Sequence, residues 1–519
     1  MRISRVVESC LAIFALVGLP SSAVAPVLSP QIKGALTAIT AAELKGDLSF
    51  LASDALQGRY TPSPGLDVAA EFIASKFRAA GLAPGGDQDY FQMAAMVDRR
   101  MPQTVSDLKI QSASETISVP AAAVLMSDTS QAASIERAPV LAIEAKDPEK
   151  LRELNLAGKA ILVPQPDLDR FEGAAGMESY RRMHAFDRIV AESNAVLEIS
   201  VSTHKHAAAS PALLMPGQAE RHRVPAAIVE SEQLRQLLRS ATAANGSNFT
   251  VTFDVPAPDD RKTPVKNVVA ILRGSDPHLK DTCVLLTAHY DHIGTLETAG
   301  RMAMSRSGSD RDHIYNGAND DGSGTVSVIE IARAMATLNP HPKRSIVFMT
   351  FFGEERGELG SQYYAEHPVF PIGATIADVN LEQLGRTDST VGQQVNTASL
   401  TGYDYSEVTR YFEHAGRETG IKVYKDDEAS DAYFTRSDNA ALAEQGVPAH
   451  TLTVAFDFPD YHALGDEWQK INYENMAKVD RMIMLALLDL ANSGKAPAWN
   501  AGNPNTEPFR EAQRKFRGR

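Results

Sequence analysis

Two cysteines in 519 residues leave almost nothing to cross-link. They stand at Cys10 and Cys283. Cys10 lies in an N-terminal segment read below as cleaved, so the mature chain keeps one thiol and no internal disulfide. Basic residues are also in deficit. Lys and Arg number 51 against 65 Asp and Glu, a formal net charge of −14. Phosphate backbones are held by a Lys/Arg excess, so a nucleic-acid partner is excluded. Long hydrophobic runs are missing too. The run Cys10–Leu19 falls short of the ~20 apolar residues that span a bilayer, and no later stretch is long enough. With 44% hydrophobic and 22% charged residues, the rest has an ordinary globular composition.

What is present begins with a processing signal. Arg2 and Arg5 precede the apolar run, and Ser21, Ser22, Ala23 and Ala25 follow it. This reads as a signal peptide over residues 1–25, which makes the protein exported, periplasmic or secreted, with no stable membrane insertion after cleavage. The remaining length is too great for one core and implies two folded units. Residues 26–100 begin the first. Within them Ala69, Phe72, Ile73, Phe77 and Ala80 recur at helical spacing and Gly81 stops the helix. Residues 101–260 change texture: short apolar runs such as KAILVPQ, AVLEISV and FTVTFDV alternate with turns, with one helix near Glu178–Glu192. This predicts a β-rich inserted module, with PAPDDRKTP around Pro256–Pro264 as the linker out of it.

Residues 261–495 alternate strand and helix. The runs NVVAILRG, CVLLTAHY, SIVFMTFFG, TIADVNL and AHTLTVAF are apolar on both faces, as strands buried inside a sheet must be. The fold class is therefore α/β, three layers (αβα) around a central mixed, mostly parallel sheet. Residues 496–519 are polar and then basic and read as a loose tail.

The chemistry sits where those strand patterns end. CVLLTAHYDH puts His289 and Asp291 at one strand end, SIVFMTFFGEE puts Glu354 and Glu355 at a second, and ADVNLE puts Glu382 at a third. NGANDDGSG places Asp320 in a turn before a helix, and FPDYH places His462 in a late loop. Ligands in open α/β sheets bind beyond the carboxyl ends of the strands. Two imidazoles and three carboxylates suit zinc. Five donors are too many for one open ion and suit a pair of zinc ions sharing a carboxylate. One of the adjacent acids Glu354 and Glu355 can bind metal while the other stays free to take a proton. Asp291 can fix the His289 tautomer.

The segments HYD, GANDDGSG, GEE, NLEQLG and DYH stand in the order and spacing of the co-catalytic two-zinc aminopeptidase family, which includes bacterial leucyl aminopeptidases and glutamate carboxypeptidase. The chain resembles that family over nearly its whole mature length. LSFLASDALQGR is similar to the family's opening helix and turn, NLAGKAILV and VPAAIVESEQL to its inserted protease-associated domain, and KINYENMAKV to its closing helix. The resemblance implies that His289 and Glu382 bind one zinc, that Glu355 and His462 bind the other, and that Asp320 bridges them. It implies Glu354 as general base, Asp291 as partner of His289, and Tyr461 near the oxyanion. It also implies an exopeptidase that hydrolyses the N-terminal bond of a peptide with a free amino end, using a water activated by the metals. A carboxypeptidase or dipeptidase of the same family is the alternative, and a non-catalytic binding protein on this scaffold a further one. Glu382 departs from the family's usual Asp, and Asn439 from its usual His. His313 is an extra candidate ligand, and the pair His204 and His206 reads as a polar loop.

Overall fold

The computed structural model describes residues 28–517 apart from 144–146, 166–172, 203–210, 244–247, 301, 304–311 and 391. The signal-peptide reading and the His204–His206 loop fall outside the described residues.

The larger unit is built on a ten-stranded sheet. Its centre runs Ala449–Thr453, Thr375–Leu381, Cys283–His289, Ser345–Phe351, and these four strands are parallel to one another. An antiparallel strand flanks them on each side, Asp259–Leu272 on one and Thr397–Leu400 on the other, and Phe91–Arg100 pairs antiparallel with the outer edge of Asp259–Leu272. The sheet is thus mixed, and its parallel part carries the motif-bearing strands.

Alternation along these strands separates two cores. Val268, Val284, Leu286, Ile346 and Phe348 face one way, packing with Leu48, Phe77, Ile329, Met476 and Ile483 from helices. Val269, Leu285, Val347 and Met349 face the other way, packing with Tyr364, Leu442 and Trp499. Side chains two residues apart share a face, so continuous apolar runs require helices on both sides. The helices Ala41–Leu51, Pro64–Ala79, Gly324–Ala336 and Tyr473–Asn492 cover the first face; Leu359–Glu366 and Asn439–Glu444 cover the second. Pro64–Ala79 has Pro at its start and a Ser63 cap donated to by the Leu66 N–H, as its sequence anticipates.

A second sheet of eight strands lies wholly between Leu108 and Val255. Ala160 and Leu162 face a core with Leu234, Leu237 and Leu238, while Ile161 and Val163 face Phe186 and Val190. Its longer helices are Gly173–Glu192 and Glu232–Ala243. The second was not read from the sequence, although Leu234, Leu237 and Leu238 mark one helical face.

Two expectations need correction. The supposed linker at Pro256–Pro264 is largely strand: Asp259–Leu272 is continuous and pairs with Phe91–Arg100 from Asp259↔Arg100 onward. Its first half has a strand on one side only, since pairing with Ser345–Phe351 begins at Val268. A proline without an N–H is tolerated there, and turn-like composition concealed the strand. The supposed loose tail also folds. Trp499 is buried, and helix Glu507–Arg517 brings Phe509 against Phe434 and Trp499.

Candidate metal centre

The carboxyl ends of three neighbouring parallel strands converge at one place. His289 is the last residue of its strand, Glu382 directly follows Thr375–Leu381, and Glu354 and Glu355 stand just beyond Ser345–Phe351. The adjacent helix Gly324–Ala336 begins after a kinked turn holding Asp320. His462 comes from the loop after Ala449–Thr453.

Two groups of donor atoms result: His292, Asp320, Glu355 and His462 in one, and His289, Glu354 and Glu382 in the other. Asp320 faces both. Its Oδ1 lies 3.4 Å from His289 Nε2, and its Oδ2 lies 3.1 Å from His462 Nε2. His462 Nε2 is also 3.1 Å from Glu355 Oε2. On the other side His289 Nε2 is 3.8 Å from Glu354 and 3.9 Å from Glu382. His289, Asp320, Glu354, Glu355, Glu382 and His462 are therefore in one cluster. Tyr461 borders the same cavity as Asp320, Glu354 and Glu382, and its ring stacks on His462 at 4.0 Å. His313 is exposed and belongs to neither group. Asn439 is buried away from the donors, donating to the Phe434 carbonyl and accepting from Thr451.

The scaffold around the cluster is made of backbone contacts. Asp291 accepts from Thr61 Oγ1 at 2.9 Å and from the Glu354 N–H at 3.1 Å, with its carboxylate 3.5 Å from His289 Nδ1. It therefore ties the first strand end to the second as well as standing beside the imidazole. Asp466 accepts from the N–H groups of Asn319 and Asp320. Asp321 accepts from those of Gly324 and Gln383. Ser437 donates to Glu382 Oε1. Arg59, on the opening turn, donates to the carbonyls of Tyr290, Leu51, Asn316 and Gly317. The preceding Gly58 has φ 67°, and a Cβ there would overlap the Gly294 and Tyr315 carbonyls.

Burial and crowding set the titration. Burial raises the Glu354 carboxyl well above its usual range; the nearby Glu382 and Glu355 charges add to this and His289 opposes it. Burial likewise lifts Glu382 to about 7. For Glu355 burial pushes upward, but the His462 charge and hydrogen bonds from His292 and His462 outweigh it, leaving about 2. His289 and His462 are held well above the usual imidazole range: burial opposes their charge, and the surrounding carboxylates overcome it.

The residues present suit metal ions. Asp320 Oδ2 and His462 Nε2 are buried with no hydrogen-bond partner among the described residues, although each lies within 3.1 Å of the other. Buried polar atoms are rarely left unpaired, and converging imidazole nitrogens and carboxylate oxygens are donors that zinc accepts. Sequence reasoning overlooked His292, Asp466, Thr61 and Arg59. His292 had a signal: it closes the HYDH run three residues after His289. The others come from distant segments.

Residues 267–487 match the sequence model of Peptidase family M28. Over 207 residues the chain is 27% identical to a vacuolar membrane protease of Tuber melanosporum (strain Mel28), covering 39% of this chain and 18% of that protein. Over 268 residues it is 24% identical to the uncharacterized protein YfbL of Escherichia coli (strain K12), covering 47% of this chain and 76% of that one. The chain spans less than a fifth of the length of the first vacuolar membrane proteases it matches. Its fold is similar to that of the aminopeptidase from Aneurinibacillus sp. strain AM-1, with a TM-score of 0.56 at 20% identity, covering 91% of this chain and 96% of that structure. Among the described residues no helix is long and apolar enough to cross a membrane.

Proposed function

We propose, on the match of residues 267–487 to the sequence model of Peptidase family M28 and on the geometry of the site, that this chain is a zinc-dependent exopeptidase that removes residues from the free amino end of peptides. The observation that carries the reading is Asp320, whose two oxygens face two separate donor groups. In this reading His289 and Glu382 would hold one ion and Glu355 and His462 a second, with Asp320 available to both. Bound zinc would lower the pKa of a water towards ~7 and polarise the scissile carbonyl.

The chain's own residues supply the rest. Glu354 takes the proton of the attacking water and passes it to the leaving amine nitrogen. Its raised affinity for protons, from burial among other carboxylates, suits a group that must hold a proton and then release it. Asp291 holds Glu354 by its backbone N–H through its carboxylate and meets His289 Nδ1 with its own carbonyl, so one residue sets both the base and the imidazole. The Tyr461 hydroxyl donates to the carbonyl oxygen as charge develops there. The acid-rich floor receives the substrate's ammonium group, which favours a free amino end. The signal-peptide reading assigns this activity to an exported protein.

The test is a panel of aminoacyl chromogenic substrates with and without a chelator, together with one peptide offered free and acetylated. Chelator-sensitive release from the free peptide alone is expected. Cleavage of the acetylated peptide from its carboxyl end would replace this reading with a carboxypeptidase. Glu354→Gln should keep its zinc and lose about 100-fold or more in kcat, whereas His462→Ala should lose zinc. The reverse pattern would exchange the two roles.

A further inference from the structure

We infer that His292 is a positioning residue of the metal centre: its Nδ1–H donates to Glu355 Oε1 and thereby aims the other oxygen, Oε2, at the ion shared with Asp320 and His462. The inference rests on the metal-dependent reading above, and it concerns a histidine which that reading leaves without a task.

The two histidines assigned as ligands share one arrangement. His462 Nδ1 faces the Met302 carbonyl at 2.9 Å and its Nε2 faces the site. His289 Nδ1 faces the Asp291 carbonyl at 3.2 Å and its Nε2 faces the site. A ligating imidazole nearly always donates its remote N–H in this way. His292 is the other way round. Its Nδ1 faces the site, 2.8 Å from Glu355 Oε1, and its Nε2 is buried with no hydrogen-bond partner among the described residues. Were Nδ1 to bind metal, Nε2 would carry a buried hydrogen with nothing to accept it. With the proton on Nδ1, Nε2 is a bare lone pair, and unpaired buried N–H groups are rarer than under-satisfied acceptors. An ionised carboxylate can only accept, so the contact with Glu355 also requires the proton on Nδ1.

Distances separate the roles as well. Ligands ~2.0–2.1 Å from a tetrahedral zinc stand ~3.3 Å from one another. The two 3.1 Å separations around His462 Nε2 are of that kind. The 2.8 Å contact from His292 has the length of an N–H···O hydrogen bond, and His292 Nδ1 stays 3.9 Å from Asp320.

The ring is also held still. It is fully buried and meets the His462 ring edge-on at 5.6 Å. Its face lies against Gly317, whose φ of 55° and missing side chain leave the space it fills; a Cβ there would overlap the ring. Its backbone N–H donates to the Arg59 carbonyl.

The experiment is zinc titration of the metal-free chain by chelator competition. It compares wild type with His292→Leu, which keeps volume without a donor, His292→Ala, which empties the space, and His292→Asn, which keeps an N–H near Nδ1. Trp fluorescence checks the fold of each, and the two donorless variants separate a packing defect from the lost hydrogen bond. Zinc affinity should fall ~10–100-fold in both donorless variants, recover most of that loss in His292→Asn, and still saturate at the wild-type stoichiometry in all three. Loss of one ion at saturating zinc, with no recovery in His292→Asn, would make His292 a ligand and overturn the inference. Unchanged affinity in the donorless variants would overturn it equally. Wild-type chain that binds no zinc would bring down the metallopeptidase reading itself, a result obtained before any variant is measured.

Discussion

Removing Arg59 should loosen both the fold and the metal centre. Its side chain is only 1% exposed and donates four hydrogen bonds, of 2.6 to 2.9 Å, to the carbonyls of Leu51, Asn316, Tyr290 and Gly317. These carbonyls belong to three segments: the end of helix Ala41–Leu51, the turn leading to Asp320, and the residue after His289. Bonds from a charged donor contribute about 1.5–3 kcal/mol each. Burying the cation works against them, and burial accordingly lowers its pKa while Asp291, Asp466, Asp320 and Asp321 resist. If water re-satisfies about half of the orphaned carbonyls, Arg59→Met should destabilise by about 3–6 kcal/mol. Arg59→Lys, reaching one or two carbonyls, should lose roughly half of that. Urea unfolding followed by Trp fluorescence suits the purpose, because the chain's two tryptophans, Trp468 and Trp499, both lie in the larger unit. Zinc affinity should fall in parallel, since Asn316 and Gly317 lead into Asp320. A loss in Arg59→Met of under about 1 kcal/mol, the size of one ordinary hydrogen bond, would refute the argument.

Three further outcomes follow from buried groups. His450 Nδ1 donates to the Thr401 carbonyl at 2.8 Å and its Nε2 accepts from Ser406 at 2.6 Å, and burial lowers its pKa to about 4. The unfolded chain then binds more protons, so this stability is present above pH ~6.5 and is lost as pH falls towards 4, by about 3 kcal/mol in all. The stability difference between wild type and His450→Gln, measured in urea, should shrink over that window, and a constant difference would count against it. Burial raises the Cys283 thiol to about 12, so it should ignore a disulfide reagent such as DTNB until urea is added; rapid labelling of native protein would contradict its placement. Gly446 has φ 86° and faces the Gln513 backbone, so Gly446→Ala should destabilise by about 1–3 kcal/mol and expose Glu507–Arg517 to limited proteolysis; an uncut helix would argue against that packing.

The legible parts of this chain are those governed by short-range patterns. Cys283–His289, Ser345–Phe351 and Thr375–Leu381 announce themselves because strands covered on both faces read as largely apolar runs. His289 closes the first run, Glu354 and Glu355 lie just past the second and Glu382 directly follows the third, so these four could be picked out from the sequence. Asp259–Leu272 was misread because its exposed first half, which carries Pro264, looks like a linker and is held only by the partner strand. Glu507–Arg517 was misread because its charges pair within the helix, Arg510 and Arg514 both on Glu507, while its inward contacts, Phe509 on Trp499 and Gln513 on Gly446, are few and scattered in sequence. Arg59 and Thr61 were beyond reach for another reason. They meet Tyr290 and Asp291 across about 230 residues of chain, and no local pattern records a contact of that span.

Adjacent acids show most plainly where sequence stops and structure must decide. Asp320 and Asp321 are one residue apart, chemically identical and both buried, yet they do opposite things. Asp321 spends an oxygen on the N–H groups of Gly324 and Gln383 and so fastens the helix start to the strand end. Asp320 makes no such bond; its own N–H is taken by Asp466, which leaves both of its carboxylate oxygens facing histidines. Asp291 and Asp466 likewise accept from backbone N–H groups. Every buried backbone donor needs an acceptor, and in tight turns beyond strand ends the ladder cannot provide one. A ring of carboxylates does so instead. The acids left over, Asp320, Glu354, Glu355 and Glu382, are those whose oxygens accept from no backbone N–H and so remain open towards the cavity. On this accounting, replacing Asp466 by Asn should disturb Asp320 through its backbone and weaken zinc binding without removing a donor. Zinc affinity equal to wild type in Asp466→Asn would mean that the turn holds its shape unaided.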